Sequence, residues 1–373
     1  IFPEVWAARS IAKVCEKLGI KDMARTEKTN APSFTKNYLS NHPNRLIRNI
    51  ATARQMDKLR NTFIETLKNY VVKGKIHADI NQLRGDQGGT LTGRLSYSHP
   101  NLQQLPNYNE YGTGIRSVFS PNSNEEKWGC FDYSQQEPRL VVHFALRTPG
   151  IIGVDTMAKA FQEDPSTDFH QIVADIAGID RKQAKTINLG LFYGMGVAKL
   201  QEQLGINDED EAKELINKYH SKVPFVKQLM KQTMNRAQTS GRIRTIGGRL
   251  CRFDKWEPKD WNSRKWYDTW KEAADENGAG NIKRAFTYKA LNRLIQGSAA
   301  DMTKKAMVNL YEKGILPQIQ IHDELCLSIK NDKEATMVKK IMETAIPLIV
   351  DNKVNYKKGK NWGNIKQEEL WKK

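Results

Sequence analysis

The chain has 373 residues, of which 39% are hydrophobic and 27% charged, a composition typical of soluble globular proteins and a length too great for one compact core. Lys and Arg number 59 against 42 Asp and Glu, and the resulting net charge of +17 favours a polyanionic partner, most often nucleic acid. The absence of any run of about 18 apolar residues argues against a membrane-spanning helix, so we predict no membrane partner.

The four cysteines, Cys15, Cys130, Cys251 and Cys326, lie far apart in the sequence and without CxxC spacing. This pattern argues against a disulfide framework or a zinc knot and favours a reducing compartment, so we predict a cytoplasmic protein. The chain begins at Ile1, with neither Met nor a signal-peptide pattern, as a fragment of a longer protein would.

Residues 1 to about 75 are predicted to be mostly helical, with a polar loop over residues 26–34. In the stretch 44–70 apolar residues recur at helical spacing, and basic residues crowd the remaining surface. These basic residues are Arg45, Arg48, Arg54, Lys58 and Arg60. The pattern predicts a helical hairpin with a basic face, which is either a nucleic-acid surface or an ordinary solvated helix face.

Residues 85–106 are rich in glycine and polar side chains, but their spacing is neither GxGxxG nor a Walker loop. Hydrogen-bonding side chains are dense here, and they suit sugar, phosphate or minor-groove base edges. They are Thr92, Arg94, Ser96, Asn101, Gln103 and Gln104.

A buried strand ending in a carboxylate is predicted over residues 128–134, with Asp132 near its end. Ser134 and Glu137 have the spacing of a capping box, which predicts a helix from this point to about Leu146. Pro138 would cost that helix an early hydrogen bond.

Residues 150–282 are predicted to be rich in helix. One helix, 181–194, carries Arg181, Lys185, Leu189 and Tyr193 four residues apart, so that they form one stripe. Two cations followed by an apolar residue and a tyrosine could hold a triphosphate at one end and stack a base at the other. His170, taken alone, is an ordinary surface or core histidine.

The remaining elements are a strand-turn-strand over residues 240–252 with four arginines, a long helix over 285–313, a helix over about 334–350 and a basic tail. The long helix carries Asn292, Arg293 and Gln296 in its first half. Basic and aromatic residues interleave around residues 240–271, which is compatible with nucleic acid.

Apolar residues alternate over residues 316–330, as in a half-buried hairpin, and Asp323 falls in the apolar phase. A buried carboxylate there needs a cation, a metal or hydrogen bonds. The alternative is a plain polar turn at His322 and Asp323. If Asp132 and Asp323 converge, the two carboxylates could hold two divalent metals about 3.5–4 Å apart, for which Mg²⁺ is the suitable hard cation.

Five blocks of this sequence resemble, in order and spacing, motifs of the DNA polymerase I family, also called family A. Three resemble its catalytic motifs: residues 132–139, residues 181–194, and His322, Asp323 and Glu324. Two further blocks are residues 92–96 with 100–103, and Asn292 with 296–301. The resemblance covers nearly the whole chain, and five ordered blocks are a far stronger signal than any one of them.

The resemblance implies an α+β, multi-subdomain fold: a right hand with a palm built on an antiparallel sheet, helical fingers and a helical thumb. By position, residues 1–75 would be the thumb, truncated if the chain is a fragment. Residues 76–150 and 283–373 would be the two palm segments, and 151–282 the fingers.

The resemblance implies a role for each residue of this chain that matches a functional position of the family. Asp132 and Asp323 would be the metal ligands, Glu324 would assist near the primer end, and Lys185 would donate a proton to pyrophosphate. Glu137 would block a ribose 2′-hydroxyl. The nucleotide-binding residues would be Gln135, Glu137, His170, Arg181, Lys185, Leu189 and Tyr193. The residues in contact with DNA would be Arg94, Asn101, Gln103, Asn292, Gln296 and His322.

Three departures from the family pattern stand out. Leu189 replaces an aromatic residue, which predicts weaker stacking on the incoming base. Gln136 and Pro138 replace apolar residues, which puts the packing of their helix in question. Asn107 and Tyr108 stand where a basic residue is common.

The resemblance therefore implies template-directed DNA synthesis in phage or phage-like replication, with two Mg²⁺ ions for which Mn²⁺ can substitute. The partners implied are primer-template DNA, dNTPs, and a processivity factor or a separate exonuclease or helicase, in the host cytoplasm if the protein is phage-encoded. Two alternatives stay open: a catalytically idle nucleic-acid-binding scaffold, against which the intact Asp132 and Asp323 argue, and a single-subunit RNA polymerase, which Glu137 disfavours.

Overall fold

The structure is a computed structural model of the chain, and it describes residues 4–21, 23, 25–26, 29–85, 88–107, 110–192, 195–206, 208–260, 263 and 265–368. The chain folds into two compact units: Ile1–Asp79 with His99–Arg116, and Ile80–Ser98 with Ser117–Lys373. Among the described helices, none combines the length and the apolar character needed to cross a bilayer.

The first unit is built from short helices. They are α1 (Ala8–Lys17), α2 (Lys36–Asn41), α3 (Arg45–Lys58), a π-helical turn (Leu59–Ile64), α4 (Glu65–Asn69) and α5 (Glu110–Arg116), with a 3₁₀ turn at Leu102–Gln104. The strands β1 (Val71–Val72) and β2 (Lys75–Ile76) form a small hairpin. The core of the first unit contains Ile11, Cys15, Leu39, Ile47 and Ile50, which lie on the apolar faces of α1, α2 and α3.

Arg45, Arg48, Arg54 and Lys58, four of the five predicted basic residues, lie on α3 and line a cleft of about 580 Å³ in this unit. Arg54 lies over the ring of Trp6 at 5.3 Å and donates to the carbonyl of Phe34. Arg48 donates to the carbonyl of His42 at 2.8 Å. The basic face is thus partly committed to holding the unit together.

The second unit contains a five-stranded antiparallel sheet in the order β10-β11-β5-β12-β13. Its strands are β5 (Lys127–Tyr133), β10 (Ile319–Ile321), β11 (Glu324–Ile329), β12 (Val354–Gly359) and β13 (Ile365–Glu368). The remaining strands pair two by two: β3 (Asp79–Asn81) with β4 (Ser96–Ser98), β6 (Arg242–Arg244) with β7 (Leu250–Arg252), and β8 (Trp256–Pro258) with β9 (Ile282–Arg284).

Ten helices of this unit lie in the described residues. They are α6 (Gln136–Leu146), α7 (Asp155–Glu163), α8 (Phe169–Ala177), α9 (Arg181–Phe192), α10 (Val197–Leu204), α11 (Glu209–Lys222), α12 (Pro224–Ser240), α13 (Trp270–Asn277), α14 (Ala290–Tyr311) and α15 (Asp332–Thr344). One hydrophobic core joins the sheet to most of them.

The two faces of the central sheet have different neighbours, because successive side chains of a strand point to opposite faces. On one face Tyr133 donates to the carbonyl of Met342 in α15, and Phe131 stacks on Tyr356 at 4.6 Å. Asp132 points to the other face. The packed face fixes the sheet, and the opposite face presents the carboxylates.

Several predicted boundaries were wrong. The long helix α14 begins at Ala290 rather than near 285, because Phe286 adopts a left-handed φ of 61° and a 3₁₀ turn follows it. The helix expected to reach about residue 350 ends at Thr344. The predicted basic tail forms strands β12 and β13, and β12 pairs directly with β5 because Val354 and Tyr356 alternate with polar residues and are buried.

Candidate functional site

Three carboxylates meet at one end of the central sheet, where β5 ends and β11 begins; this end, with Asp132, Asp323 and Glu324, is called the sheet edge below. Asp132, near the end of β5, lies directly opposite Glu324, the first residue of β11. Asp323 occupies the turn just before Glu324, and its carbonyl accepts a hydrogen bond from the amide of Tyr133 at 3.3 Å. The carboxyl groups of Asp132 and Asp323 lie close enough for each to affect the pKa of the other. Residues far apart in the sequence are thereby brought into one site.

The electrostatics of this edge disfavour full ionisation of the pair. Burial and the neighbouring charges of Asp323 and Glu324 raise the pKa of Asp132 to about 7, although Lys357 opposes the shift. Burial also raises the pKa of Asp323, against the influence of Arg94 and His322. Two carboxylates in contact share one proton unless a cation enters, so the titration belongs to the pair.

The hairpin between β10 and β11 presents Asp323. Its central residues are His322 and Asp323, and Ile321 pairs with Glu324. His322 is exposed and has a φ of 54°, a positive value that suits a turn between twisted strands. Gln320 holds the turn by donating its side-chain amide to the carbonyl of His322 at 2.5 Å. The turn and the carboxylate site are therefore one feature.

Glu137 is buried in the first turn of α6 and forms an ion pair with Arg94 at 2.6 Å. The predicted capping box was wrong, because α6 begins at Gln136 after Gln135 takes a left-handed φ of 53° and no side chain caps the helix. Pro138 lies in the first turn, where amide groups have no intrahelical partner, so it does not cost the helix the predicted bond.

Gln136 and Gln135 hold this region in place. The buried Gln136 side chain donates to the carbonyl of Ala299 in α14, which shows how α6 packs with a polar residue at that position. The side chain of Gln135 donates to the carbonyl of Thr167 at 2.6 Å and accepts from the amide of Phe169 at 2.8 Å. Its amide group thus ties the end of β5 to the start of α8.

Helix α9 presents Arg181 and Lys185 to solvent and leaves Leu189 partly buried. Arg181 is held by the carboxylate of Asp168, 2.7 Å from its terminal nitrogen. Asp168 also caps α8 by accepting from the amides of His170 and Gln171. Burial raises the pKa of Asp168, but the bond from Arg181 and these two amide bonds outweigh it, so the pKa is lowered. Tyr193 lies outside the described residues.

His170 belongs to a buried chain of hydrogen bonds. Its Nδ1 lies 3.1 Å from the amide nitrogen of Asn188, and the amide oxygen of Asn188 accepts from the hydroxyl of Tyr219 at 2.5 Å. All three side chains are buried. Burial lowers the pKa of His170 to about 4, so the ring is neutral at physiological pH. With Nδ1 as the acceptor, its proton lies on Nε2.

The residues predicted to touch DNA are distributed over both units. Asn292 and Gln296 lie four apart on α14 and are partly buried, so they share one helix face. Asn101 and Gln103 belong to the first unit, where the side chain of Asn101 accepts from the amide of Gln103 at 3.1 Å. Asn107 is exposed, and Tyr108 lies outside the described residues.

The sequence reading missed four residues of this site. Asp168, Asn188 and Tyr219 position Arg181 and His170, and Lys357 on β12 acts on Asp132. The signal for Asn188 was a polar residue between the apolar residues Ile187 and Leu189. The signals for Asp168 and Tyr219 were weaker, since both types are common in helical proteins.

The donor set at the sheet edge fits a hard divalent cation. Asp132 and Asp323 offer carboxylate oxygens close to each other, and Mg²⁺ prefers such ligands. Protonation of a carboxylate pair is the state expected when no cation is bound, and a cation would replace the shared proton.

The sequence profile described as DNA polymerase family A matches residues 9–364 of this chain. The chain belongs to DNA polymerase family A. Among curated relatives, a DNA-directed DNA polymerase of Pseudomonas phage M6 is 36% identical, over 97% of this chain and 57% of its own length. The thermostable DNA polymerase I of Thermus aquaticus is 30% identical, over 94% of this chain and 40% of its own.

Among solved structures, the polymerase domain of Pol1 from M. smegmatis, in complex with DNA primer-template and dNTP, superposes with a TM-score of 0.74 and 26% identity. The match covers 96% of this chain and 61% of that one. This similarity confirms the predicted α+β polymerase fold. This family A chain spans less than two thirds of the length of these relatives.

Proposed function

We propose that this chain is the polymerase part of a DNA-directed DNA polymerase. It would extend a primer by attack of the 3′-hydroxyl on the α-phosphate of a dNTP, with release of pyrophosphate. The observation that carries the proposal is the closeness of Asp132 and Asp323 at the sheet edge, in a chain of family A. The similarity to phage polymerases supports a role in phage or phage-like replication.

Asp132 and Asp323 would hold two Mg²⁺ ions, with Mn²⁺ able to substitute. Such ions supply charge stabilisation for the attacking and leaving oxygens. Glu324, opposite Asp132, would lie near the primer terminus. Its position on the first residue of β11 keeps a third negative charge beside the pair.

The cationic side chains of α9 would receive the triphosphate. Arg181 is partly exposed and would exchange Asp168 for phosphate oxygens. Lys185, one turn further along, would donate a proton to the leaving pyrophosphate. His170 is neutral, and its Nε2 proton would be offered to a phosphate oxygen.

Nucleotide selection would depend on Glu137 and on α9. The ion pair with Arg94 fixes the Glu137 carboxylate, which would then oppose a ribose 2′-hydroxyl. Leu189 and Tyr193 would line the base pocket. Gln135 would contribute through its main chain, because its side-chain amide is occupied.

Primer-template DNA would be held without sequence preference. The residues proposed to contact it are Arg94, Asn101, Gln103, Asn292, Gln296 and His322. Minor-groove acceptors differ little between base pairs, so side chains of this kind suit a non-specific copier. A processivity factor, a separate exonuclease or helicase, and a cytoplasmic location in the host are further parts of this proposal.

The test is primer extension with Mg²⁺ on DNA and RNA templates, with dNTPs against rNTPs. We expect extension with dNTPs on the DNA template. Absence of extension would favour a nucleic-acid-binding scaffold, and equal use of rNTPs would favour an RNA polymerase. In the Glu137→Ala variant the preference for dNTPs should fall about tenfold or more, since the residue that excludes the hydroxyl is gone. An unchanged preference would show that Glu137 does not exclude the ribose 2′-hydroxyl.

A further inference from the structure

Directly below the carboxylate pair, the same face of the sheet carries two thiols. Cys130 on β5 lies opposite Cys326 on β11, two register positions from Asp132 and Glu324 and therefore the next pair on the same face. Alternate residues share a face, so these four side chains form a square. The amide of Tyr133 bonds to Asp323, which places Cys130 and Cys326 at a position without cross-strand hydrogen bonds, where facing side chains are closest.

Three of these side chains, Cys130, Cys326 and Glu324, have their metal-binding atoms close together. The sulfurs of Cys130 and Cys326 are 3.2 Å apart, and the sulfur of Cys326 is 3.3 Å from Oε1 of Glu324. The ligand atoms of all three residues lie within 4.8 Å of one another. Sulfurs bound to zinc at about 2.3 Å in a tetrahedron are about 3.8 Å apart, so a small separation of the thiols would admit the ion.

The charges of the surroundings suit a divalent ion. Two thiolates and one carboxylate carry three negative charges. Lys357 lies opposite Cys130 on β12 and supplies one positive charge, so a divalent ion would complete the balance. Both thiols are buried, and burial raises the pKa of Cys326. Glu324 is only partly buried and gives the ion a way in.

We propose that Cys130, Cys326 and Glu324 form a second cation site, specific for a thiophilic divalent ion of the zinc class, and that its occupation inhibits primer extension. Binding would release the two thiol protons and form two metal–sulfur bonds and one metal–oxygen bond. Soft thiolates select such ions over Mg²⁺, which prefers oxygen ligands. The bound ion would hold Glu324 at the thiols and keep it from acting beside the carboxylate pair, and this inhibitory part rests on the proposed polymerase function.

The first experiment measures binding alone. Cd²⁺ is titrated into the full chain in excess Mg²⁺, and the thiolate-to-metal charge-transfer absorption is followed. We expect one equivalent per chain, with the band reduced or lost in Cys130→Ser and in Cys326→Ser and retained in Cys251→Ser, a buried thiol elsewhere in the unit. Glu324→Gln should keep the band and weaken binding about tenfold.

Absence of a band, or equal bands in Cys130→Ser and the parent chain, would overturn the site. Loss of two hydrogens by mass with no metal bound would do the same, because it would show that the pair forms a disulfide instead. Circular dichroism of each variant in Mg²⁺ checks that the chain is folded.

The second experiment measures primer extension at constant Mg²⁺ with added Zn²⁺. We expect at least tenfold inhibition of the parent chain, restored by a chelator, and little inhibition of Cys130→Ser and Cys326→Ser. Equal inhibition of all three chains would overturn the inhibitory role. A parent chain that binds Cd²⁺ but never extends a primer would contradict the proposed function and leave the cation site standing.

Discussion

The sheet edge and the helix pair α8–α9 differ in how their charged and polar side chains are paired. Like charges are crowded at the sheet edge, whereas the groups on the helices already have partners. At the sheet edge Asp132, Asp323 and Glu324 crowd together, and burial and like charges raise the pKa of Asp132 to about 7. On the helices Arg181 is paired with Asp168, and His170 is bonded to Asn188. In the proposed mechanism a cation would complete the first region, whereas Arg181 in the second region would have to exchange Asp168 for the triphosphate.

Substitutions in the two regions should therefore differ in how strongly they reduce primer extension. A side chain at the sheet edge is held by backbone pairing, so its removal deletes a ligand without a substitute. A side chain on the helices acts through hydrogen bonds that are worth about 1 kcal/mol each, and its loss is graded.

The largest effect is expected for Asp323→Asn. An amide cannot replace the carboxylate charge, so single-turnover extension should fall about a thousandfold or more while duplex binding survives. The matched control is Asp351→Asn, an exposed aspartate of the same unit whose carbonyl, not its carboxylate, bonds to Arg139. An Asp323→Asn chain as active as this control would remove Asp323 from the site.

The next effect is expected for Lys185→Ala. Loss of a proton donor to pyrophosphate should slow the chemical step about a hundredfold. Lys182→Ala is the control, since it removes an exposed positive charge from the same helix at a position outside the stripe of Arg181, Lys185 and Leu189. Equal losses in the two variants would show that α9 contributes only general positive charge.

A smaller effect is expected for Asn188→Leu, which has a similar volume and removes both hydrogen bonds of the buried chain. His170 would lose its fixed orientation, and the KM for dNTP should rise about five- to tenfold with a smaller change in kcat. Tyr219→Phe should change KM in the same direction and by less. Unchanged KM in steady-state assays of both variants would show that His170 does not contact the nucleotide.

The smallest effect concerns stability. Burial and Arg147 lower the pKa of His143 to about 4, and its Nδ1 accepts from the amide of Ile349. Below the unfolded pKa of about 6.5 the unfolded chain takes up a proton that the native ring refuses, so stability falls as the pH falls toward about 4. In His143→Asn the drop in Tm from about pH 7 to about pH 5 should be smaller.

Primer extension by His143→Asn should be unchanged, because His143 lies in α6 and outside both regions compared. A drop in Tm equal to that of the parent chain would show that His143 does not contribute to the pH dependence. The result also bears on His170, because burial lowers the pKa of that histidine to about 4 as well.

Local pattern predicted much of the fold. The apolar run around Asp132 and the alternation around Asp323 indicated β5 and the β10–β11 hairpin, because burial of strands leaves a direct mark on the sequence. Strand β12 escaped notice because its lysines mask a short alternation. The capping box failed because the backbone at Gln135 is left-handed, which side-chain spacing does not reveal.

The site was less accessible to sequence reasoning. Pairing of β5 with β11 joins residues distant in the chain, so the convergence of Asp132 and Asp323 was inferred only through resemblance to a family. The partners of Arg94, Arg181 and His170 depend on tertiary packing. They could be found only once the helices were in place.

The central claim is that Asp132 and Asp323 serve one cation site. Its most direct test is single-turnover primer extension by Asp132→Asn, Asp323→Asn and the double variant. Since either substitution disables the same site, the double variant should lose about as much activity as either single variant. Losses that multiply, so that the double variant falls about a thousandfold below each single one, would contradict the claim.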